Sequence, residues 1–432
     1  MNADLTNHEA GGSIPAGPAP APRAPSSAGM MGRTFAALRH PNYRLYFTGQ
    51  LISLIGTWMQ NVAQGWLVYQ LTGSPFYLGL VGFMASIPVL FLSLGAGVLI
   101  DRVPRRAVLM ATQATAMSLA LVLSVLVFTN VVQPWHILVL SFLLGVSQAF
   151  DGTARQTFVK DMVGKEDMMN AIALNSALFN MSRIIGPALA GITLAAVGPA
   201  WCFLLNGLSF LAVIFGIWRM ELPKFVPPAR AVAMVAEIKE GLRYIRDNET
   251  IRTLMLLISI SAIFGFAYNT LLPAYAQDVL HVDAQGLGFL STASGLGALA
   301  GALIMASFGQ SIRKGLLLTA GSLLFPVMLI LLAFNGTFLG ALPLLIASSF
   351  GAMIQNTTAN TLVQTNVPDH LRGRVMSVYM LTFFGFSPLG ALQAGVIAEH
   401  FGVPIGIATG AAIALAIGML ILWRVPRVRR LG

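Results

Sequence analysis

The chain has 432 residues, of which 56% are hydrophobic and only 10% charged, with a net charge of +10 and a mean hydropathy of +0.76. A soluble domain carries about 25% charged residues, so this composition excludes a soluble protein and implies an integral membrane protein. The positive charge lies in short segments between apolar runs, where anionic lipid attracts it, and not on one folded face as nucleic-acid binding requires; the single cysteine, Cys202, excludes an intrachain disulfide.

Residues 1–40 are rich in Ala, Pro, Gly and Ser and lack the apolar core of a signal peptide. They are expected to form a disordered cytoplasmic tail, with a basic lead-in to the membrane around residues 33–44. A span takes about 20 mostly apolar residues. The sequence predicts twelve, at 44–70, 76–100, 107–129, 135–156, 170–197, 200–219, 252–276, 286–308, 315–334, 338–363, 376–400 and 403–423. The runs are continuous, not alternating, so they are helices rather than barrel strands.

Of the 26 Lys and Arg residues, all but Arg183 fall on one side of this layout. The connections near Thr72, Gln133, Gly198, His281, Asn335 and Gly402 carry none. By the positive-inside rule both termini are cytoplasmic. The predicted units are a first six-helix bundle over 41–219, a linker over 220–251, a second bundle over 252–424 and a basic tail over 425–432. Within the linker, Val235, Ile238, Leu242 and Ile245 form an apolar stripe, which predicts an amphipathic helix on the membrane or on the bundle.

The candidate functional residues follow in chain order. The first helix carries the polar series Gln50, Ser53, Thr57, Gln60, Asn61 and Gln64, which avoids lipid. Gly97, Asp101, Arg102, Arg105 and Arg106 lie between the second and third helices, and Asp151 and Arg155 near the end of the fourth. An Asp at such a place can cap a helix N-terminus; the plainer reading is that these charges only set topology. Arg183 stands in mid-membrane, where an arginine costs about 3 kcal/mol or more. The favoured reading is structural: it reaches toward Asp151 or bonds helix carbonyls. The alternative is that it faces a cavity and attracts an anionic or phenolic compound. Gly186, Pro187 and Gly191 allow a bend, or simply close packing. Tyr268 and Asn269 on the seventh helix, and Gln355, Asn356 and Asn360 on the tenth, either line a path or hydrogen-bond between helices. The outer groups Asp278, His281, Asp283, Glu399 and His400 are read as a solvated rim.

The two halves repeat. At an offset of 209, Gly56, Gln60, Leu78, Gly79 and Arg105 match Gly265, Asn269, Leu287, Gly288 and Lys314; at 204, the run Gly186 to Gly191 matches Gly390 to Gly395. Parallel repeats are a transporter signature, with the substrate site between them.

Gly97, Leu99, Asp101, Arg102, Arg105 and Arg106 resemble the signature loop of the major facilitator superfamily, Gly-x-Leu-x-Asp-Arg-x-Gly-Arg-Arg, with Pro104 where a glycine is usual. The segments Leu71 to Pro75, Asp151 to Arg155, Arg183 to Pro187 and Val367 to Val375 resemble the branch that holds the enterobactin exporter and the macrolide efflux pumps. The resemblance implies an all-α major facilitator fold of twelve helices in two six-helix bundles, with helices one, four, seven and ten around a central path. It implies a latch in which Asp101 meets the start of the eleventh helix and Arg102 or Arg105 pairs with Asp151. Gln310 and Ser311 stand at the repeat positions of Asp101 and Arg102, so the second copy is expected to lack its latch.

The expected function is secondary active export of a hydrophobic or amphipathic organic compound, siderophore or drug-like, by alternating access with proton antiport. The expected protein is a monomer in the bacterial inner membrane. It is not an enzyme and has no metal, cofactor or nucleic-acid partner, and without a P-loop it does not use ATP. A nutrient importer and a non-transporting sensor or scaffold are the competing readings.

Overall fold

Proline and glycine set the helix boundaries. Pro41, Pro75, Pro134 and Pro199 each open a helix, where the absent N–H has no partner to lose. The backbone turns through φ > 0 at Gly73, Asn130, Gly198, His281 and Gly402, all at the end away from the basic segments. The turns there are short; Gly198 and Gly402 each connect two helices alone.

The computed structural model describes residues 35–100, 102–164, 166–221, 234–309 and 311–425. Asp101, Gln310, the start of the linker and both tails beyond these bounds lie outside the described residues. The helices are α1 (Pro41–Thr72), α2 (Pro75–Ile100), α3 (Arg105–Phe128), α4 (Pro134–Met162), α5 (Met168–Val197), α6 (Pro199–Arg219), α7 (Met234–Asp247), α8 (Glu249–Ile260), α9 (Tyr268–Ala274), α10 (Ala284–Phe308), α11 (Lys314–Ala333), α12 (Phe338–Asn366), α13 (Asp369–Phe401) and α14 (Val403–Arg424). Among the described residues there is no strand.

Eleven segments are long and apolar enough to cross a membrane, α8 and α9 counting within one of 31 residues. The expected first span, α1, is not among them. It has 32 residues, but its polar series lowers its mean hydropathy. Helices α1 to α6 pack among themselves, as do α8 to α14; the main contacts between the two sets are α2 with α13 and α5 with α10.

Three expectations change. Residues 36–39, placed in the tail, form a 3-10 turn docked on α5, where the Ala37 N–H donates to Asn170 at 2.9 Å and His40 meets Asp167 at 2.8 Å. The predicted seventh span is not one regular helix. Ser261–Gly265 and Tyr275–Val279 are π-helical, with the Phe266 N–H bonded to the Ser261 carbonyl at 2.9 Å, and Pro273 interrupts the ladder between them. Helices α4, α12 and α13 run several residues past the predicted basic-side bounds, so Lys160, Arg372 and Arg374 stand on helices and not in loops.

The linker helix α7 lies on the bundle. Ile245 is buried and Ile238 half-buried, Glu240 pairs with Arg374 on α13, and Gly241 faces the Arg374 carbonyl so closely that a Cβ would sit 2.9 Å from its oxygen. Leu242, predicted on the same stripe, is 50% exposed.

Candidate functional site

The two sets enclose a cavity of about 520 Å³ near mid-span. The first set contributes Trp58, Asn61, Val62, Gln64 and Gly65 from α1, Leu78, Val81, Gly82 and Ala85 from α2, and Arg183 and Pro187 from α5. The second contributes Phe266, Asn269, Thr270 and Pro273 from the irregular seventh span, Ser291 and Ser294 from α10, and Phe383 and Ser387 from α13. The wall is apolar and aromatic with a few amides and hydroxyls, the usual make-up of a site for a small organic ligand.

Toward the end without basic residues, two seams close the cavity, and they are copies of one another. On α10, a Cβ at Gly288 would lie 2.7 Å from the Gly191 Cα and 2.9 Å from the Pro187 carbonyl oxygen of α5. On α2, a Cβ at Gly79 would lie 3.1 Å from the Gly395 Cα and 2.6 Å from the Ala391 carbonyl oxygen of α13. Gly79 and Gly288 are repeat partners, as are Gly191 and Gly395, and Pro187 and Ala391. Hydrogen bonds join the sets beyond these seams: Tyr69 donates to Asp278, and Glu399 accepts from the Ser74 hydroxyl at 2.7 Å and the Phe76 N–H at 3.1 Å. Asp278 and Glu399, read from sequence as a solvated rim, are exposed yet tie the two sets together.

At the basic end the charges bind within their own set. Arg105 pairs with Asp161 at 3.0 Å, not with Asp151. Asp151 is held instead by Arg155 one turn on, by Gln113 at 2.7 Å and by Thr112 at 3.0 Å. The i,i+4 spacing satisfies it inside its own helix before any loop arginine reaches it. Arg106 donates to the Trp218 and Met220 carbonyls at the end of α6, a favourable place for a cation. Arg102 is exposed and Gly97 buried.

The ten predicted path residues divide. Asn61, Gln64 and Asn269 line the cavity, and Gln64 also donates to Ser141 at 2.9 Å. Asn356 and Asn360 line a neighbouring hollow of about 290 Å³ that shares Phe383 with it. The rest bond elsewhere. Gln50 is bonded by Arg155, Gln60 accepts from Asn206 at 2.7 Å, Gln355 donates to Ser261 at 2.8 Å, Tyr268 meets Ser349 at 3.3 Å, and Thr57 donates to the Ser53 carbonyl at 2.9 Å. The lining face of α1 is Trp58, Asn61, Val62 and Gly65, at i, i+3, i+4 and i+7; it is rotated from the polar series, because half of that series hydrogen-bonds inside the first set.

Arg183 is half-buried on the cavity wall. Its guanidinium carbon lies 5.8 Å from the Trp58 ring centre. The expected reach toward Asp151 is not made, since Arg155 occupies that carboxylate. Gly186 explains how Trp58 fits here: a Cβ on Gly186 would lie 2.4 Å from the Trp58 Cβ. The missing side chain admits the indole against α5, between Phe179 at 5.6 Å and Arg183. Nothing in the sequence singles out Trp58 or Phe383; aromatic residues in an apolar span give no signal that separates cavity from core.

Comparison with known proteins agrees with this geometry. Residues 32–430 match the family described as transmembrane secretion effector. The multidrug efflux pump Tap of Mycolicibacterium fortuitum is 30% identical, over 87% of this chain and 93% of its own. The enterobactin exporter EntS of Citrobacter koseri is 27% identical, over 90% and 93%. Among solved structures, a point mutant of the nucleoside transporter NupG superposes with a TM-score of 0.73 at 11% identity, covering 89% of this chain and 99% of that one; this shows a shared fold.

Proposed function

The chain belongs to the transmembrane secretion effector family of major facilitator transporters, and on that premise we propose that it exports hydrophobic or amphipathic organic compounds, siderophore or drug-like, by alternating access. The observation that carries this reading is the mid-span cavity shared by both sets and closed at one end by the paired glycine seams. The basic face is cytoplasmic by the positive-inside rule, so the seams form the outer gate and the described conformation faces inward. Asn356 and Asn360 then mark a cytoplasmic approach to the cavity. In the outward-facing state the loop around Gly97, Asp101, Arg102, Arg105 and Arg106 latches the cytoplasmic ends together, with the Asp151–Arg155 pair bracing α4 beneath it. The counter-ion is a proton. The carboxylates available to carry it are Asp151 on α4 and Asp278 and Glu399 at the outer gate.

Orientation is tested by thiol labelling. Gly336 has open space around it and Lys239 is exposed, whereas the native Cys202 is buried. Gly336→Cys is expected to react with an impermeant reagent in intact cells and Lys239→Cys is not; the reverse pattern would overturn the orientation. Export itself is tested by accumulation of a siderophore and drug panel in a pump-deleted host. Expression is expected to lower accumulation of at least one compound, and a protonophore to abolish the difference. Raised accumulation would make the protein an importer.

A further inference from the structure

Among the described residues, the cavity wall carries one formal charge. Among the described residues that line it, Arg183 is joined by no Asp, Glu, Lys or His. The six ion pairs of the described residues all lie elsewhere. An arginine does not shed its proton to escape such a place. Its guanidinium carbon lies 5.8 Å from the Trp58 ring centre, a cation–π distance, and such a contact leaves the N–H donors of a guanidinium available to a ligand.

A neutral compound that fills the cavity replaces the water it strips from this guanidinium with at most an uncharged acceptor, and a cation adds repulsion, which is a penalty against the wrong ligand. An anion replaces the water with charge-assisted hydrogen bonds, bidentate where the acid is planar. Trp58, Phe266 and Phe383 supply aromatic rings to the same wall, and its other polar groups are neutral amides and hydroxyls such as Asn269 and Ser294. Together they form a place for an aromatic body with one acidic group attached.

We propose that Arg183 is the specificity-determining residue of this cavity, and that the compounds it takes are amphipathic organic anions with an aromatic ring next to the acid. This rests on the transporter reading above but not on its direction.

The test is binding to the purified full chain in nanodiscs, with three fluorescent probes that share one aromatic body: dansylglycine as the anion, dansylglycinamide as its neutral isostere, and dansylcadaverine as the cation. The wild type is expected to bind the anion about tenfold tighter than the amide, the difference one charge-assisted pair makes, and the cation most weakly. Arg183→Gln is expected to erase the preference, and Arg183→Lys to keep part of it. Acetate at the concentration of the probe is expected not to displace dansylglycine; displacement would remove the aromatic part of the proposal. Equal binding of anion and amide by the wild type would overturn it, a result that stands whether or not the variants fold. So would a folded Arg183→Gln protein that still prefers the anion. Binding selectivity is blind to direction, so a failed export reading would show only in the cell assay.

Discussion

Gly288→Leu is expected to reduce transport about thirtyfold while the protein remains folded. The atoms that a Cβ would meet at this position are the Gly191 Cα at 2.7 Å, the Pro187 carbonyl oxygen at 2.9 Å and the Gly191 nitrogen at 3.0 Å. All are backbone, so no side chain can swing aside. Overpacking of this kind costs about 2 kcal/mol, and only the conformation with the seam closed bears it. That shifts the balance toward the outward-facing state by a factor of about thirty. A cysteine at Gln285, whose backbone faces Gly191, is expected to gain reactivity toward an external thiol reagent in the Gly288→Leu background. Gly79→Leu should behave the same way, because its Cβ would sit 2.6 Å from the Ala391 carbonyl oxygen. Gly95→Ala has open space and serves as the control. Normal transport by Gly288→Leu would show that the seam does not need to close tightly in the cycle.

Asp151→Ala is expected to destabilise the protein by about 1–3 kcal/mol, the range for leaving buried polar groups without a partner. The Asp151 and Arg155 side chains are only 14% and 26% exposed. The substitution removes the carboxylate from the Arg155 guanidinium, which keeps its bond to Gln50, and leaves the Gln113 and Thr112 donors without their acceptor. Folded yield and melting temperature in detergent should both fall. Arg155→Met in the same background should recover part of the loss, since it removes the charge left without its carboxylate. Asp161→Ala is the comparison: its pair with Arg105 is more open, at 31% and 26% exposure, and a partly solvated ion pair contributes only about 0–1 kcal/mol. An Asp151→Ala protein with unchanged melting but no transport would assign the carboxylate to the transport cycle and not to stability.

The architecture was readable because lipid allows few solutions. Apolar length marked eleven spans and the basic residues ordered them along one face. The first helix was expected as an apolar run at 44–70 like the others, yet its polar series leaves it less apolar than the eleven. What stayed hidden was rotation and partner choice. The α1 polar series was a correct sign of a lipid-avoiding face, yet a polar residue avoids lipid equally well by facing a cavity or a neighbouring helix. Gln60 found Asn206 and Gln50 found Arg155, while Asn61 reached the cavity. Arg105 shows a related limit: Asp151, Asp161, Glu166 and Asp167 all lie toward the basic end of the first set, and sequence distance does not rank them. The π-helical turns of the seventh span depend on where a backbone carbonyl finds its donor, which a hydrophobic pattern does not encode.

The paired seams also say what each half is capable of by itself. The α2 patch at Leu78 and Gly79 meets α13, and the copy of that α13 patch inside the first half is the α5 run from Gly186 to Gly191. One half therefore carries both a patch and the surface that receives it. Two identical copies of such a half, related by a two-fold axis, would form both seams at once, because residue i meets j and j meets i. The contact between the halves has the form of an isologous dimer interface written out in a single chain, and a change in an ancestral half would have struck both seams together.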